Sequence, residues 1–490
     1  MGHDAPAVRT TAGSTSTGVL VAVLSLAVFM SSLDLFIVNL AFPYISRSYH
    51  GTDLGSLSWV LNGYTIAFAA VLVPAGRWAD RVGRRRMLVA GLAVFSAGSL
   101  LCGLAPGVWW LVGARLVQAL GAGAMVPASL SLLLAVAPPA GRARAIGTWS
   151  ALGALGAACG PVIGGALVEI DWRWVFWVNL PVGMAAVALV SRLLPESRDE
   201  TARGRPDLIG AVLLALSAAL VALCVVEAPA WGWTSGKAAA TLAAAAIGAA
   251  GMLFRSSRHT EPVIELGLLR SRGFSGAFVA SVLYYAAFGA FVLSSVEFLT
   301  GVWHYSPIRA GLAIGPGPLA VLPVARLVAP RLATRLGGAG RVALAGCATN
   351  AGAQLLWLWR IGATPGYLAH LLPAQLLGGV GVGLTIPSLL AAGSASLSPD
   401  RFGTGSGILN LARQLGTVLG VAALVAILSR PDAAEPLADF RHGIVMIVSF
   451  FATAGLACAA LLPLARRAPA GGGDVAGAPE VARLAVGDAR

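Results

Sequence analysis

The sequence predicts an all-α polytopic membrane protein with fourteen transmembrane helices, and three observations predict it. Hydrophobic residues make up 57% of the 490 residues and charged residues only 11%, with a mean hydropathy of +0.80. Apolar runs of roughly 20 residues, the length that crosses a bilayer, recur along the whole chain. The arginines concentrate in alternate loops between these runs. A soluble chain of this length would carry far more charged surface.

The order of the loops predicts the orientation of the chain. The arginine-rich loops follow the even-numbered spans, whereas most tryptophans fall near the opposite ends, where interfacial aromatic residues are enriched. The positive-inside rule therefore predicts cytoplasmic termini. The predicted spans are residues 18–41, 56–75, 87–105, 108–136, 145–169, 173–194, 207–228, 237–254, 273–300, 308–329, 342–361, 366–392, 403–429 and 443–465.

An internal repeat divides the chain. GRWADRVG at 76–83 is matched by PRLATRLG at 330–337, and GAGAMVP, which ends at Pro127, is matched by GVGLTIP, which ends at Pro387. Both copies start from the same side of the membrane, so they predict two parallel six-helix bundles with a site between them. The predicted domains are a tail at 1–17, a first bundle at 18–194, a linker with two inserted helices at 195–272, a second bundle at 273–465 and a disordered tail at 466–490.

Composition and motifs exclude several function classes. The net charge of +13 comes from arginines in short loops, which indicates membrane topology and no nucleic-acid partner. The sequence contains no P-loop, no HExxH and no Gly-x-Ser-x-Gly on a strand-to-helix turn, so we expect neither ATP-driven transport nor an enzyme. The five cysteines lie inside apolar runs without metal-binding or pairing spacing, so we expect no metal and no cofactor.

Two ionisable residues lie deep inside predicted spans of the first bundle. Asp34 and Arg115 each lie about seven residues below the outer end of a span, so both are predicted roughly 10 Å deep and able to meet. Ionisable residues inside a membrane are expensive and usually functional, which favours a proton-coupling pair over a static ion pair that only holds two helices together. Glu297 is predicted at comparable depth in the second bundle. It is expected to bind a cationic substrate, to be a second proton site, or to lie wet at the interface.

Five stretches together resemble the major facilitator superfamily and, within it, the fourteen-span drug:proton antiporters of the multidrug efflux type. These stretches are LDLFIVNLAFP (33–43), GRWADRVGRRR (76–86), RLVQALGAGAMVP (115–127), GALGAACGPVIGG (153–165) and DWRWVFWVNLP (171–181). The resemblance covers essentially the whole chain. It implies the major facilitator fold, with proton coupling assigned to Arg115. Glu297 departs from the general pattern of that family.

The motifs also suggest roles for further residues. The loop between spans two and three is predicted to form a cytoplasmic latch, with Gly76 permitting a tight exit from span two and Asp80 facing an arginine or a helix N-terminus. Its predicted members are Gly76, Asp80, Arg81, Gly83 and Arg84. The fifth span presents small residues that let helices approach closely, and the resemblance implies that they seal an inward leak. They are Gly153, Gly156, Gly160, Pro161, Gly164 and Gly165. The candidates for lining a substrate cavity are Asn39, Asn62, Tyr64, Gln118, Tyr284, Phe288, Gln375, Asn410 and Arg413.

These observations predict a proton-coupled antiporter in the bacterial cytoplasmic membrane. It is expected to export hydrophobic or cationic small molecules such as drugs and antibiotics, with protons and the lipid bilayer as further partners, and to act as a monomer. One alternative is an exporter of an endogenous lipid or secondary metabolite by the same mechanism. A less favoured alternative is a non-transporting membrane receptor or scaffold, for which the acidic residues would be dispensable.

Overall fold

A computed structural model describes residues 17–49, 51–138, 141–198, 206–395, 397, 402–429 and 436–461. Within these ranges the regular secondary structure is helical, without strands. The two tails that the sequence predicts to be disordered lie outside the described residues, apart from Thr17.

The described residues form eighteen α-helices, and long apolar runs explain most of them. Polar caps and glycines set several of the ends. Asp53, Ser235 and Ser306 accept hydrogen bonds from the first turns of the helices they precede. The helices are α1 Thr17–Ser48, α2 Leu54–Val82, α3 Arg84–Gly103, α4 Val108–Val136, α5 Arg142–Val168, α6 Trp174–Trp177, α7 Asn179–Leu193, α8 Leu208–Trp231, α9 Gly236–Arg258, α10 Leu266–Leu269, α11 Arg272–Gly301, α12 Pro307–Ile314, α13 Pro316–Pro323, α14 Ala329–Leu336, α15 Ala339–Arg360, α16 Leu372–Ser394, α17 Phe402–Leu428 and α18 Pro436–Leu461.

Thirteen helical segments in the described ranges are long and apolar enough to cross a membrane. The tenth of them, Pro307–Leu336, joins α12, α13 and α14 through a π-helical turn at Val324–Val328. The remaining predicted span, 342–361, is also helical as α15, but polar residues such as Asn350 and Gln354 and its terminal arginines make it less apolar. Because α15 packs against α16 and α18, those polar side chains are buried in protein.

The helices group as two bundles and an inserted pair. In the first bundle, α1 packs against α5, and α4 packs against α2 and α3. In the second, α11 packs against α17 and α18, and α15 packs against α16 and α18. The inserted helices α8 and α9 pair with each other, and α8 also contacts α2 of the first bundle and α17 of the second. The inserted pair therefore lies along one seam between the two bundles.

Contacts between loops define two ends of the molecule. At one, the basic end, the Arg84 amide between α2 and α3 donates to the Ser197 carbonyl after α7, 2.8 Å away. At the other, the tryptophan end, the indole of Trp172 donates to the Ser48 hydroxyl (3.0 Å) and that of Trp303 to the Gly362 carbonyl (2.9 Å). The first contact joins segments that follow even-numbered spans, and the other two join segments that follow odd-numbered spans. This is the alternation of loops between two ends that the sequence predicts.

The first span is longer than predicted. The sequence places its end at residue 41, whereas α1 continues through Pro43 to Ser48. Proline lacks one backbone donor but does not end the helix here, because the residues beside it, Phe42 and Ile45, are fully buried and hold the segment in place. Asp34 is therefore fourteen residues, or about 21 Å, from the end of its helix. Arg115 lies seven residues, or about 10 Å, from the start of α4, as the sequence predicts.

Candidate functional site

A buried ionic network lies inside the first bundle, and its centre is the pair that the sequence singles out. Arg115 of α4 donates from Nη1 to Oδ2 of Asp34 on α1 at 2.6 Å, and both side chains are fully buried. The same Nη1 atom lies 2.6 Å from Oε1 of Gln118, one turn along α4. Gln118 in turn donates from Nε2 to the other carboxylate oxygen of Asp34 at 2.8 Å. A buried charge pair is expected to carry additional hydrogen bonds of this kind.

Two further residues complete the network, and the sequence reasoning missed both. Asn179, at the start of α7, donates from Nδ2 to Oδ1 of Asp34 (3.2 Å) and to the hydroxyl of Ser99 on α3 (3.3 Å). Ser99 also accepts from Gln118 at 2.6 Å. The signal for Asn179 was present, because this amide lies inside the motif at 171–181. Four helices thus meet at one carboxylate.

The guanidinium of Arg115 is also held by an aromatic ring and a backbone carbonyl. Its Cζ atom lies 3.8 Å from the ring centroid of Tyr64 on α2, and Nε donates to the Val60 carbonyl at 3.2 Å. Its Nη2 atom is buried without a hydrogen-bond partner among the described residues. Asp34 accepts two donors at Oδ1 and one at Oδ2, so protonation of Oδ1 requires one of these hydrogen bonds to break.

The glycines of α5 form the surface on which α1 rests. A Cβ atom at Gly156 would lie 2.5 Å from the carbonyl oxygen of Phe29, and one at Gly160 would lie 2.6 Å from Cβ of Phe36. Gly153 and Gly164 face Val28 and Ile37 of α1 in the same way. These contacts lie on both sides of Asp34 along α1. Only glycine permits this separation of the two helices.

The end of α5 touches the other bundle. A Cβ atom at Gly165 would lie 2.7 Å from both the Pro307 carbonyl oxygen and the Ile308 Cα atom of α12. Four residues later, the carboxylate of Glu169 accepts the Ile308 amide of α12 at 3.4 Å. The backbone around Pro161 is in similarly close contact with Gly311. The two bundles are therefore closed against each other at the tryptophan end.

The residues of the predicted latch lie at the basic end, within the first bundle. Asp80 accepts from Nε of Arg84 at 2.8 Å, one turn away across the junction of α2 and α3. Gly83 makes this junction with φ +123°, a conformation that favours glycine. The carboxylate of Glu196, which the sequence reasoning missed, accepts the Arg85 and Arg86 amides at 3.0 and 3.3 Å and so caps α3.

Two expectations for this end need correction. Gly76 does not form an exit from span two, because α2 continues to Val82 and Gly76 faces the ring of Pro127 on α4. Arg77, which was not a latch candidate, forms an ion pair with Glu261 and lies 3.4 Å from Glu265, both in the segment between α9 and α11. Arg81 lies in the last turn of α2.

A cavity of about 40 Å³ lies between the two bundles. The first bundle contributes Leu35, Phe36 and Asn39 of α1 together with Leu61 and Thr65 of α2. The second contributes residues of α11 and α17, among them Tyr285, Phe288, Arg413 and Thr417. In this conformation the space holds one or two water molecules and is far smaller than the several hundred Å³ of a drug-sized pocket.

Three of the nine predicted cavity residues line this space: Asn39, Phe288 and Arg413. Gln118 and Tyr64 belong instead to the ionic network. The other four do not line it: Tyr284 receives a hydrogen bond from Asn350 of its own bundle at 3.3 Å, Asn62 and Gln375 are buried, and Asn410 is half-buried. The direction in which each side chain faces around its helix decides these placements.

Glu297 lies apart from both the network and the cavity. It is four residues before the end of α11, near the tryptophan end, so the prediction of comparable depth with Asp34 is wrong. Arg47 and Tyr44, at the end of α1, are its electrostatic neighbours. Its side chain is half-buried, and the Oε1 atom is buried without a hydrogen-bond partner among the described residues.

Comparison with known proteins agrees with this architecture of two repeated bundles, a buried ion pair between spans one and four, and a cavity between the bundles. The family model of the Major Facilitator Superfamily matches residues 24–421. The chain belongs to the major facilitator superfamily. The resemblance to this superfamily that the sequence motifs suggested is thereby confirmed, as is the all-α polytopic fold.

Relatives within the superfamily carry names from drug resistance. The chain is 35% identical over 408 residues to the multidrug resistance protein Stp of Mycobacterium tuberculosis. The aligned region covers 82% of this chain and 74% of that protein. It is 32% identical to the methylenomycin A resistance protein of Streptomyces coelicolor, with 90% of each chain covered. Among solved structures, an auto-inhibited POT family peptide transporter matches with a TM-score of 0.64 at 18% identity over 90% of this chain and 96% of that one. This last likeness shows the fold alone.

Proposed function

We propose that this member of the major facilitator superfamily is a proton-coupled antiporter that exports drug-like molecules, antibiotics among them. The observation that carries the proposal is the network around Asp34, a fully buried carboxylate at the junction of four helices of the first bundle. The names of the two relatives support export of antibiotics, since both are resistance proteins. Transport is proposed in preference to catalysis or a receptor role.

The network supports proton coupling because the two charged partners, Asp34 and Arg115, are on different helices. Protonation of Asp34 removes the charge that attracts Arg115 and so weakens the contact between α1 and α4. Separation of those helices in turn leaves Asp34 without its strongest donor. Proton binding and helix movement are therefore linked, as coupled exchange requires.

The position of α1 supports a link to the substrate. Leu35, Phe36 and Asn39 line the cavity, directly after Asp34 in the sequence. A molecule that enlarges the cavity must displace this segment and with it the carboxylate. Two contacts are then proposed to change as the bundles move relative to each other. The pairing of Asp80 with Arg84 is the proposed latch, and the contact of α5 with α12 is the proposed gate.

The charge distribution supports an orientation. The positive-inside rule assigns the basic end and both termini to the cytoplasm of a bacterial cell, with the chain in the cytoplasmic membrane. The conformation described here would then be closed to the outside. Glu297, near the outer end of α11, is retained as a second site for a proton or a substrate cation.

Substrate-induced proton release tests the proposal. Everted vesicles containing the protein are acidified inside, a panel of antibiotics, aromatic acids and lipophilic cations is added, and a pH-sensitive dye reports proton efflux. Asp34→Asn preserves the shape of the side chain and one acceptor oxygen but cannot carry a proton. We expect dye dequenching in the wild type and at least a tenfold smaller response in the variant.

Asp171→Asn is the matched control. Asp171 lies at the tryptophan end with a side chain 44% exposed, and among the described residues its carboxylate accepts only from the nearby Arg173. The control should respond as the wild type does. An Asp34→Asn response equal to that of the wild type would rule out Asp34 as the proton carrier. A wild type that responds to no compound would instead favour a non-transporting role.

A further inference from the structure

The central cavity contains one charged side chain, Arg413 of α17, and the structure gives it no counter-charge. Its Cζ atom lies 5.5 Å from the ring centroid of Tyr285. Among the described residues no carboxylate is within salt-bridge distance of it, and no acidic residue lines the cavity. Glu297, the acidic residue that the sequence suggested for a substrate cation, lies closer to the tryptophan end.

The depth of Arg413 makes this lack of a partner notable. It lies eleven residues from the start of α17 and fifteen from its end, which is about 16 and 22 Å along the helix. A charge at the middle of a membrane protein is normally paired, as Arg115 is with Asp34. Arg413 is thus a deep cation whose carboxylate partner is not supplied by the described chain.

The rest of the wall is mostly apolar and aromatic, with Asn39, Thr65 and Thr417 as its polar members. Phe36 of the first bundle meets Phe288 of the second edge-to-face, with ring centroids 6.2 Å apart, and Tyr285 meets Phe288 at the same distance. These rings surround the cavity beside the guanidinium. Thr65 and Thr417 use their hydroxyl protons on backbone carbonyls of their own helices, which leaves Arg413 as the principal source of free donors.

We propose that Arg413 binds an anionic group of the exported substrate, so that the preferred substrates are aromatic acids: aryl carboxylates or acidic phenols. The guanidinium pairs with the anionic oxygens through its fork of N–H donors, and the aromatic rings accept the flat body of the molecule. This inference rests on the proposed export function and narrows its substrate class. It departs from the cationic substrates that the sequence suggested.

The arrangement also places the substrate anion next to the proton network. Tyr64, whose ring packs on the guanidinium of Arg115, is also within electrostatic range of Arg413. An anion at Arg413 would therefore act on the surroundings of the pair that is proposed to carry the proton. Binding of the acid would change the field at that pair without touching it.

Direct binding of two dyes tests the proposal without a proton gradient. Fluorescein, which is anionic at alkaline pH, and rhodamine 6G, which is cationic, share a xanthene core and a similar size. Fluorescence polarisation with the purified full chain gives the affinity for each. We expect the wild type to bind fluorescein on the order of ten times more tightly than rhodamine 6G, since a charge-assisted hydrogen bond supplies at least that factor.

Arg413→Gln should weaken fluorescein binding on the order of ten- to a hundredfold while leaving rhodamine 6G binding unchanged or stronger. Arg413→Lys, which keeps the charge, should retain most of the affinity. Arg309→Gln is the matched control, because Arg309 is an exposed arginine of α12 stacked on Tyr305 outside the cavity. It should bind both dyes as the wild type does.

Three outcomes would overturn the proposal: a wild type that binds rhodamine 6G more tightly, a wild type that does not bind fluorescein, or a folded Arg413→Gln variant within twofold of the wild type for fluorescein. The wild-type preference alone decides the matter if that variant does not fold. Asp34→Asn separates this inference from proton coupling, because it should lose exchange but still bind fluorescein.

Discussion

Replacement of Gly165 by alanine is expected to open the contact between the bundles at the tryptophan end. The added Cβ atom would lie 2.7 Å from both the Pro307 carbonyl oxygen and the Ile308 Cα atom. Ordinary van der Waals contact begins at about 3.4 Å, so α12 must move away from α5 by roughly 0.7 Å. Both atoms belong to backbone, so rotation of a side chain cannot relieve the overlap.

The displacement also affects the hydrogen bond beyond it. The Glu169 carboxylate already lies 3.4 Å from the Ile308 amide, so a further shift of that size breaks the contact. Overpacking of this kind costs about 1–3 kcal/mol. That cost falls only on the conformation in which the end is closed, so the ratio of closed to open molecules should fall on the order of five- to 150-fold.

Distance measurement between spin labels tests this shift. Labels at Ile170 and Trp359, both strongly exposed at the tryptophan end, report the separation of the bundles. Cys159 is replaced by alanine in all proteins so that it is not labelled; the other four native cysteines are buried and can stay. Gly165→Ala should move the population to longer distances. Gly301→Ala is the matched control, since its Cβ atom meets nothing within 4 Å. Superimposable distributions for all three proteins would refute the assignment of this contact as a gate.

Two further substitutions test the basic end. An alanine at position 83 must adopt φ +123° and place its Cβ atom 2.7 Å from the Glu196 carboxyl carbon, so Gly83→Ala should lower the stability of the protein by about 1–3 kcal/mol. Gly107→Ala is the control and should not lower it, because Gly107 has φ −164° and open space around it. Equal melting temperatures for the two variants would contradict this prediction. Asp207→Asn weakens the 2.9 Å ion pair between the buried Asp207 and the partly exposed Arg255, and it should reduce the stability of the α8–α9 pair by about 1–3 kcal/mol. The loss should be visible as faster hydrogen exchange in α8 and α9. Unchanged exchange would show that the ion pair does not hold these helices together.

The parts of the site that the sequence predicts are those fixed by composition and spacing. Asp34 and Arg115 interrupt long apolar runs, and a buried charge needs a partner, so each indicates the other. The two bundles follow from the repeat, and the direction of the chain from the arginine-rich loops. None of these inferences depends on the direction in which a side chain faces.

The parts that the sequence could not predict depend on that direction. A helix that is apolar all round gives no face to identify, so the placement of Tyr284 in its own bundle and Tyr285 in the cavity could not be read from their adjacent positions. Ser99 is one polar residue among many in α3. Glu196 lies in a connection between helices, where a carboxylate is expected to be solvated, and only the fold brings it to the N-terminus of α3.

The geometry of α1 explains how one helix could serve the three proposed roles in substrate binding, proton coupling and gating. Asp34 meets α4, the residues directly after it line the cavity, and Phe29 and Phe36 lie against the glycines of α5. Because these glycines bring the two helices into close contact, we expect α1 and α5 to move as one body. A substrate too large for the present cavity binds only a conformation in which α1 has moved, and it stabilises that conformation by its own binding energy. The same movement disturbs Asp34 at one contact and the end of α5 at the other, so exchange needs no separate relay between them.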